Sequence, residues 1–295
     1  MTGVAGATVA VAATAATTAA GTTTTAAATA ATTAAGTTTT TAATAAAAAT
    51  AATNATNATN LHFGGVVFPG SNCEQDVVYA LRFLGHEVSY VWHQDTDLAA
   101  YDAVVLPGGF SYGDYLRCGA VARFSPVMDA VSAYAHAGRP VIGICNGFQI
   151  LTEAHLLPGA LLRNFGLKFI CESVPLRVEQ SVCKWLDLAQ GTVLRVPINH
   201  NEGNYFCDEA THERLEKNGQ IVVRYCNPDG TRDAGGSAPN GAFDDIAGIC
   251  NERGNVFGLM PHPERVCDGL AGPHATDGVP FFKVIASYVE EVRGA

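Results

Sequence analysis

Gly143-Ile144-Cys145-Asn146-Gly147 sets a thiol between two glycines. This is the G-x-nucleophile-x-G spacing of a strand-to-helix elbow, with Cys where the hydrolase form carries Ser. The turn leaves no room for side chains on either flank. It lifts Cys145 above the C-terminal edge of a sheet and sets it at a helix N-terminus, whose positive end favours thiolate over thiol. The first N–H groups of such a helix are unpaired, so the Asn146 amide can donate to the oxyanion formed when Cys145 attacks a carbonyl. The competing reading is that Cys145 is one more buried core cysteine among nine.

A thiolate nucleophile needs a base and proton donor. His262 is the best placed of nine histidines, because it follows the apolar run Val256-Phe257-Gly258-Leu259-Met260. Pro261 and Pro263 fix φ on both sides of it, which holds the backbone extended and brings the Glu264 carboxylate toward the imidazole. Taken alone, the same four residues also read as a surface turn. A glycine-rich stretch from Pro107 to Asp114 follows another apolar run, and its backbone amides could supply a second oxyanion donor. Asn199-His200-Asn201-Glu202-Gly203-Asn204 gathers polar groups after a strand-like run, as a ligand-facing loop or a solvated hairpin would.

These groups need a scaffold. The sequence predicts strands at Gly65–Phe68, Glu87–Trp92, Tyr101–Leu106 and Arg139–Ile144. Helices alternate with them: one opening on a Ser71-x-x-Glu74 capping box and stopping at Gly85, one over Arg123–Ala137, and one over Gly147–Ala154. Alternation of this kind marks an α/β fold, an open, mostly parallel, flavodoxin-like sheet with helices on both faces. From about Asn164 to Cys250 the pattern changes to short strand-like runs, Thr192–Ile198 and Gln220–Tyr225 among them. We read these as an antiparallel β extension. Val256–Met260 is the last core strand and Phe281–Val292 a closing amphipathic helix.

Residues 1–60 are almost all Ala, Thr, Gly and Asn, without a charged or aromatic residue. Such a tail buries too little apolar surface to offset chain entropy, so it is expected to be disordered, leaving residues 61–295 as a single folding domain. The tail lacks the basic n-region of a signal peptide and the Arg of a transit peptide. No later stretch approaches a membrane span. With 27 acidic against 17 basic side chains, a net charge of −10 argues against a nucleic-acid partner. Nine cysteines without a C-x-x-C spacing suit a reducing, cytoplasmic setting and mostly structural thiols.

Four segments in order, Phe68–Cys73, Leu106–Arg117, Gly143–Gln149 and Gly258–Glu264, resemble class I glutamine amidotransferases. The likeness is greatest to those that form the glutaminase subunit of phosphoribosylformylglycinamidine synthase, since relatives serving other pathways usually place Leu and His where this chain has Asn146 and Phe148. The resemblance implies that Cys145 is the nucleophile, His262 the base and acid, and Glu264 its orienting carboxylate. It further implies an oxyanion hole from the Gly109 and Asn146 amides, with Gln149, Asn199 and His200 holding substrate glutamine. Ammonia would pass to a synthetase subunit, optionally with a small accessory subunit, and this chain would need no metal or cofactor because the synthetase uses ATP and magnesium. The chain departs from the family pattern in its Ala/Thr tail, in the start Leu61-His62-Phe63-Gly64 and at Asn201, where a smaller residue is expected. Two other readings compete: a cysteine hydrolase on a similar sheet, such as a deglycase or peptidase, and a silent scaffold subunit.

Overall fold

The computed structural model describes residues 60–233, 235–270 and 272–294. The tail expected to be disordered lies, but for Asn60, outside the described residues.

Nine strands form one sheet in the order β2-β1-β3-β4-β11-β10-β9-β6-β7. The first five are β1 (His62–Val67), β2 (Glu87–Trp92), β3 (Ala103–Leu106), β4 (Val141–Ile144) and β11 (Val256–Leu259), and all pair in parallel. The other four are β6 (Ile170–Val178), β7 (Val193–His200), β9 (Ile221–Tyr225) and β10 (Ile246–Cys250), which join antiparallel. This matches the expected parallel sheet with its antiparallel extension. Strands β5 (Ala160–Leu162) and β8 (Asn204–Phe206) form a separate pair.

Strands β3, β4 and β11 are buried at every position, as continuous apolar runs in a sheet covered on both sides must be. Two glycines show which helix covers one face. A Cβ on Gly143 would fall 2.6 Å from the Gly147 backbone, and one on Gly258 2.2 Å from the Phe148 ring, so helix α3 (Asn146–Glu153) lies on that face. Phe257, the neighbour of Gly258 and thus on the opposite face, stacks on Phe281 with ring centroids 6.2 Å apart. There the chain closes with α5 (Pro280–Lys283) and α6 (Ile285–Gly294), two pieces where the sequence predicts one.

Other boundaries moved for physical reasons. Ser71 does not cap a helix: its hydroxyl accepts from the Phe68 amide and its backbone bridges to Gly109. The helix therefore starts later, with Cys73 at its N-cap, and α1 spans Glu74–Phe83. Helix α2 (Pro126–His136) starts three residues later than Arg123, because a 3-10 turn over Ala122–Phe124 ends at the extended residue Ser125. Helix α4 (Glu209–Lys217), inside the β extension, was not anticipated. Leu215 is its one buried residue, so its apolar periodicity is nearly silent, and it depends instead on Asp208, whose carboxylate accepts from Thr211 N–H at 2.8 Å.

Candidate active site

Because β3, β4 and β11 run side by side in parallel, the segments leaving their C-terminal ends emerge together. These are the glycine-rich loop, the Cys145 elbow and the Pro261–Glu264 turn.

Cys145 has φ 51° and ψ −104°, a left-handed conformation that is strained for a residue with a Cβ. The strain is held from outside. Its amide donates to the Leu259 carbonyl at 2.8 Å, and a Cβ on Gly147 would lie 1.9 Å from the Leu106 carbonyl oxygen. The second glycine of the elbow is thus required by a close approach between α3 and β3. Asn146 occupies the first helical position, where its N–H has no partner within the helix. Its side chain ties two loops together: Oδ1 accepts from Ser111 N–H at 3.0 Å, and Nδ2 donates to Gln149 Oε1 at 2.8 Å.

His262 and Glu264 are both buried, with His262 Nδ1 and Glu264 Oε1 2.6 Å apart. Burial alone disfavours the imidazolium, but the Glu264 carboxylate and the Cys145 sulfur outweigh it and push the His262 pKa up to about 10. Nε2 of His262 has no hydrogen-bond partner among the described residues. The His262 amide donates to Pro197 O at 2.8 Å, and Cys145 Sγ lies 3.8 Å from Asn199 O, so the end of β7 braces both groups.

Cys145 and His262 open on one cavity of about 230 Å³, small beside the roughly 300–1,000 Å³ usual for drug-sized ligands and suited to an amino acid. Gly109, Gln149, Asn199 and His200 line it as well, so the groups singled out from sequence converge here. Gly109 has φ 135°, and a Cβ there would fall 2.8 Å from the Asn72 amide. Gln149 lines the cavity, yet its amide is already engaged by Asn146 and, through Nε2, by Glu202 O at 2.6 Å. Asn199 and His200 end β7 rather than forming a loop after it. Asn164, fully buried, fixes His200: its Oδ1 takes both His200 Nδ1 at 3.1 Å and Gly203 N–H at 3.0 Å. Burial first, then repulsion from His262, lowers the His200 pKa to about 4 and keeps it neutral.

Sequence reasoning missed several members of the site. Cys73 lines the cavity, and its thiol is raised to about 12 by burial despite Arg265 Nη2 at 3.2 Å. It is held protonated, whereas Cys145 faces the imidazole. Asp114, Cys118 and Glu202 form another part of the wall, with the Cys118 thiol donating to Glu202 Oε2. Asp114 and Cys118 leave the loop after β3 and Glu202 the turn after β7, and spacing gave no warning that the two would meet. Among the described residues the three-group cluster His212, Glu216 and Asp244 has metal-ligand types, but Arg224 and Arg232 already pair with its carboxylates.

A thiol at a strained elbow, an imidazole in reach of it and a buried carboxylate behind the imidazole can together perform thiol-mediated acyl transfer. Residues 65–282 match the family model of the CobB/CobQ-like glutamine amidotransferase domain. The chain is 54% identical to phosphoribosylformylglycinamidine synthase subunit PurQ of Gloeobacter violaceus, over 77% of this chain and 97% of that one. It is 53% identical to the same subunit of Thermomicrobium roseum, over 79% and 98%. A solved structure of PurLQS from Thermotoga maritima superposes with a TM-score of 0.68 at 42% identity, covering 78% of this chain and all of that one. The chain belongs to the glutamine amidotransferase family, on the branch that holds these PurQ subunits.

Proposed function

We propose that this chain hydrolyses glutamine to glutamate and ammonia through Cys145, His262 and Glu264, as the glutaminase subunit of phosphoribosylformylglycinamidine synthase. The observation that carries the reading is the buried His262–Glu264 pair, 2.6 Å apart, whose imidazole lines the same small cavity as the elbow thiol. Cys145 attacks the side-chain amide carbon while the Gly109 and Asn146 amides receive the oxyanion. The His262 imidazolium gives its proton to the leaving ammonia, and a thioester to Cys145 remains. Neutral His262 then takes a proton from water, which releases glutamate and restores the thiol. Glu264 orients the imidazole and stabilises its charged form.

Ammonia passes to a synthetase partner that converts formylglycinamide ribonucleotide to the amidine in purine biosynthesis, using ATP and magnesium there. Residues 61–295 are the catalytic unit in this reading. A cytoplasmic setting suits it, and no helix among the described residues is long and apolar enough to cross a membrane.

The test is to measure amidine formation by the complex with its synthetase, fed either glutamine or ammonium salt. Cys145→Ala should abolish the glutamine-dependent reaction and leave the ammonia-dependent one intact. Loss of both would refute the division of labour, and a variant still active on glutamine would refute the nucleophile.

A further inference from the structure

We propose that Cys73 and Cys145 form a peroxide-reactive site, in which oxidation of the elbow thiol is caught as a Cys73–Cys145 disulfide and so stays reversible. The chemistry rests on the nucleophilic thiolate that the glutaminase reading gives Cys145, and it adds Cys73 as the resolving thiol.

Cys73 comes from the segment after β1 and Cys145 from the elbow after β4, and both line the same cavity. Gly108 lies between them. A Cβ there would fall 3.3 Å from Cys73 Sγ, 3.4 Å from Cys145 Cβ and 2.7 Å from His262 Cε1, so one carbon atom would touch all three side chains at once. The absent side chain leaves that space open to the two sulfurs. Backbone holds the edges of the gap, since the Cys73 amide donates to Gly108 O at 3.4 Å and the Cys145 amide to Leu259 O at 2.8 Å. A disulfide needs its Cβ atoms roughly 3.5–4.5 Å apart, and the gap beside Gly108 is where the two sulfurs meet.

The cavity holds a third thiol, and charge separates the two candidates for resolving thiol. Cys118 donates to the Glu202 carboxylate, and burial first, then that hydrogen bond and the Asp114 charge, drive its pKa up. A sulfur flanked by two carboxylates resists giving up its proton to attack. Cys73 Sγ instead receives Arg265 Nη2 at 3.2 Å, while its own proton is directed at Asn72 Oδ1 at 3.2 Å. Burial raises its pKa to about 12 against the pull of Arg265, so Cys73 rests as a thiol, and the guanidinium meets the negative charge that develops when it attacks. Arg265 Nε is tied to Asp76 Oδ2 at 3.1 Å, which holds the guanidinium beside Cys73.

Hydrogen peroxide has two heavy atoms and fits a cavity of about 230 Å³. The Cys145 thiolate attacks one peroxide oxygen, so that an S–O bond forms and the O–O bond breaks. The departing hydroxide takes up the proton that Cys145 gave to His262 and leaves as water, with Cys145 now a sulfenic acid. Cys73 sulfur then attacks the sulfenic sulfur: an S–S bond forms, the S–O bond breaks, and the second hydroxide takes the Cys73 proton to become water. Two thiols have lost two electrons and two protons, and peroxide has become two molecules of water. Without the second step a sulfenic acid goes on to sulfinic acid, which thiols do not reduce.

The experiment exposes the complex with its synthetase to hydrogen peroxide and removes the excess with catalase. One sample is alkylated and its peptides are mapped by mass spectrometry. In a parallel sample the glutaminase rate is read before oxidation, after it and after dithiothreitol, each as a fraction of that protein's own starting rate. Wild type should yield a linked Cys73–Cys145 peptide and regain most of its rate with dithiothreitol. In Cys73→Ser nothing resolves the sulfenic acid, so Cys145 should be found as sulfinic acid and the regained fraction should fall at least about fivefold. Cys118→Ser should still form the bridge, and loss of the bridge there would overturn the role given to Cys73. An unmodified Cys145, an oxidised Cys145 without the linked peptide, or full recovery in Cys73→Ser would overturn the site. The wild-type peptide map decides by itself if a variant fails to fold. A wild type inert toward glutamine before oxidation would overturn the glutaminase reading, while the linked peptide would still decide the bridge.

Discussion

His262 and Glu264 are expected to contribute unequally to a single catalytic unit, because one moves protons and the other positions and polarises it. Replacing His262 with Ala should lower glutamine hydrolysis nearly as far as Cys145→Ala. Glu264→Gln keeps an acceptor but removes the charge that, against burial, raises the imidazole pKa, so its loss should be smaller. Members of a unit are not additive, and the double variant should be little worse than His262→Ala alone. Steady-state rates of the three variants in the complex test this, and near-normal activity of His262→Ala would return the choice of base to His200 and its neighbours. The same pair sets a pH dependence. A pKa raised to about 10 keeps the imidazolium, and the stability it confers, fully in place below the unfolded value near 6.5 and loses it as pH rises through 10. The alkaline limb of glutaminase activity should therefore move to lower pH in Glu264→Gln. A pH–rate profile with an unmoved limb would show that Glu264 does not hold the proton on His262.

At the scale of elements, the elbow offers a contrast between two glycines. Gly→Ala inside a helix ordinarily stabilises by up to ~1 kcal/mol. At Gly147 the sign should reverse, since the added Cβ meets the Leu106 carbonyl oxygen at 1.9 Å and backbone must move. Gly147→Ala should cost about 2 kcal/mol or more and lower the thermal midpoint by roughly 5 °C. Gly166→Ala, with nothing within 4 Å of the new Cβ, should leave the midpoint unchanged. Melting curves of the two variants decide it. This packing also explains what the sequence could reveal. The elbow and the His262–Glu264 turn are local patterns, each complete within a few residues, and the strands that carry them are unbroken apolar runs. By contrast, Asp114, Cys118 and Glu202 share a wall only because two loops meet, and the contact from Asn164 to His200 joins the loop after β5 to the end of β7. Helix α4 escaped notice because Leu215 is the only residue it buries. The Ser71–Glu74 spacing misled because a bridge to Gly109 outcompeted the cap.

For the molecule as a whole, the described residues already contain the sheet, its core and every group of the cavity. Removing residues 1–59, which hold no charged or aromatic side chain, should change neither thermal midpoint nor glutaminase rate. A midpoint lower by several degrees would show that the segment packs on the catalytic unit. The parallel pairing of β4 with β11 has a consequence for how the protein is made. Cys145 and the imidazole proposed to activate it meet through adjacent strands, Ile144 beside Leu259, yet His262 follows far along the chain. Translation adds on the order of 5–20 residues per second, so the thiol leaves the ribosome seconds before its partner exists. During that interval the thiol has no imidazole beside it. On the mechanism proposed above, its reactivity switches on only when the last core strand docks, so that completion of the chain is the event that arms the proposed nucleophile.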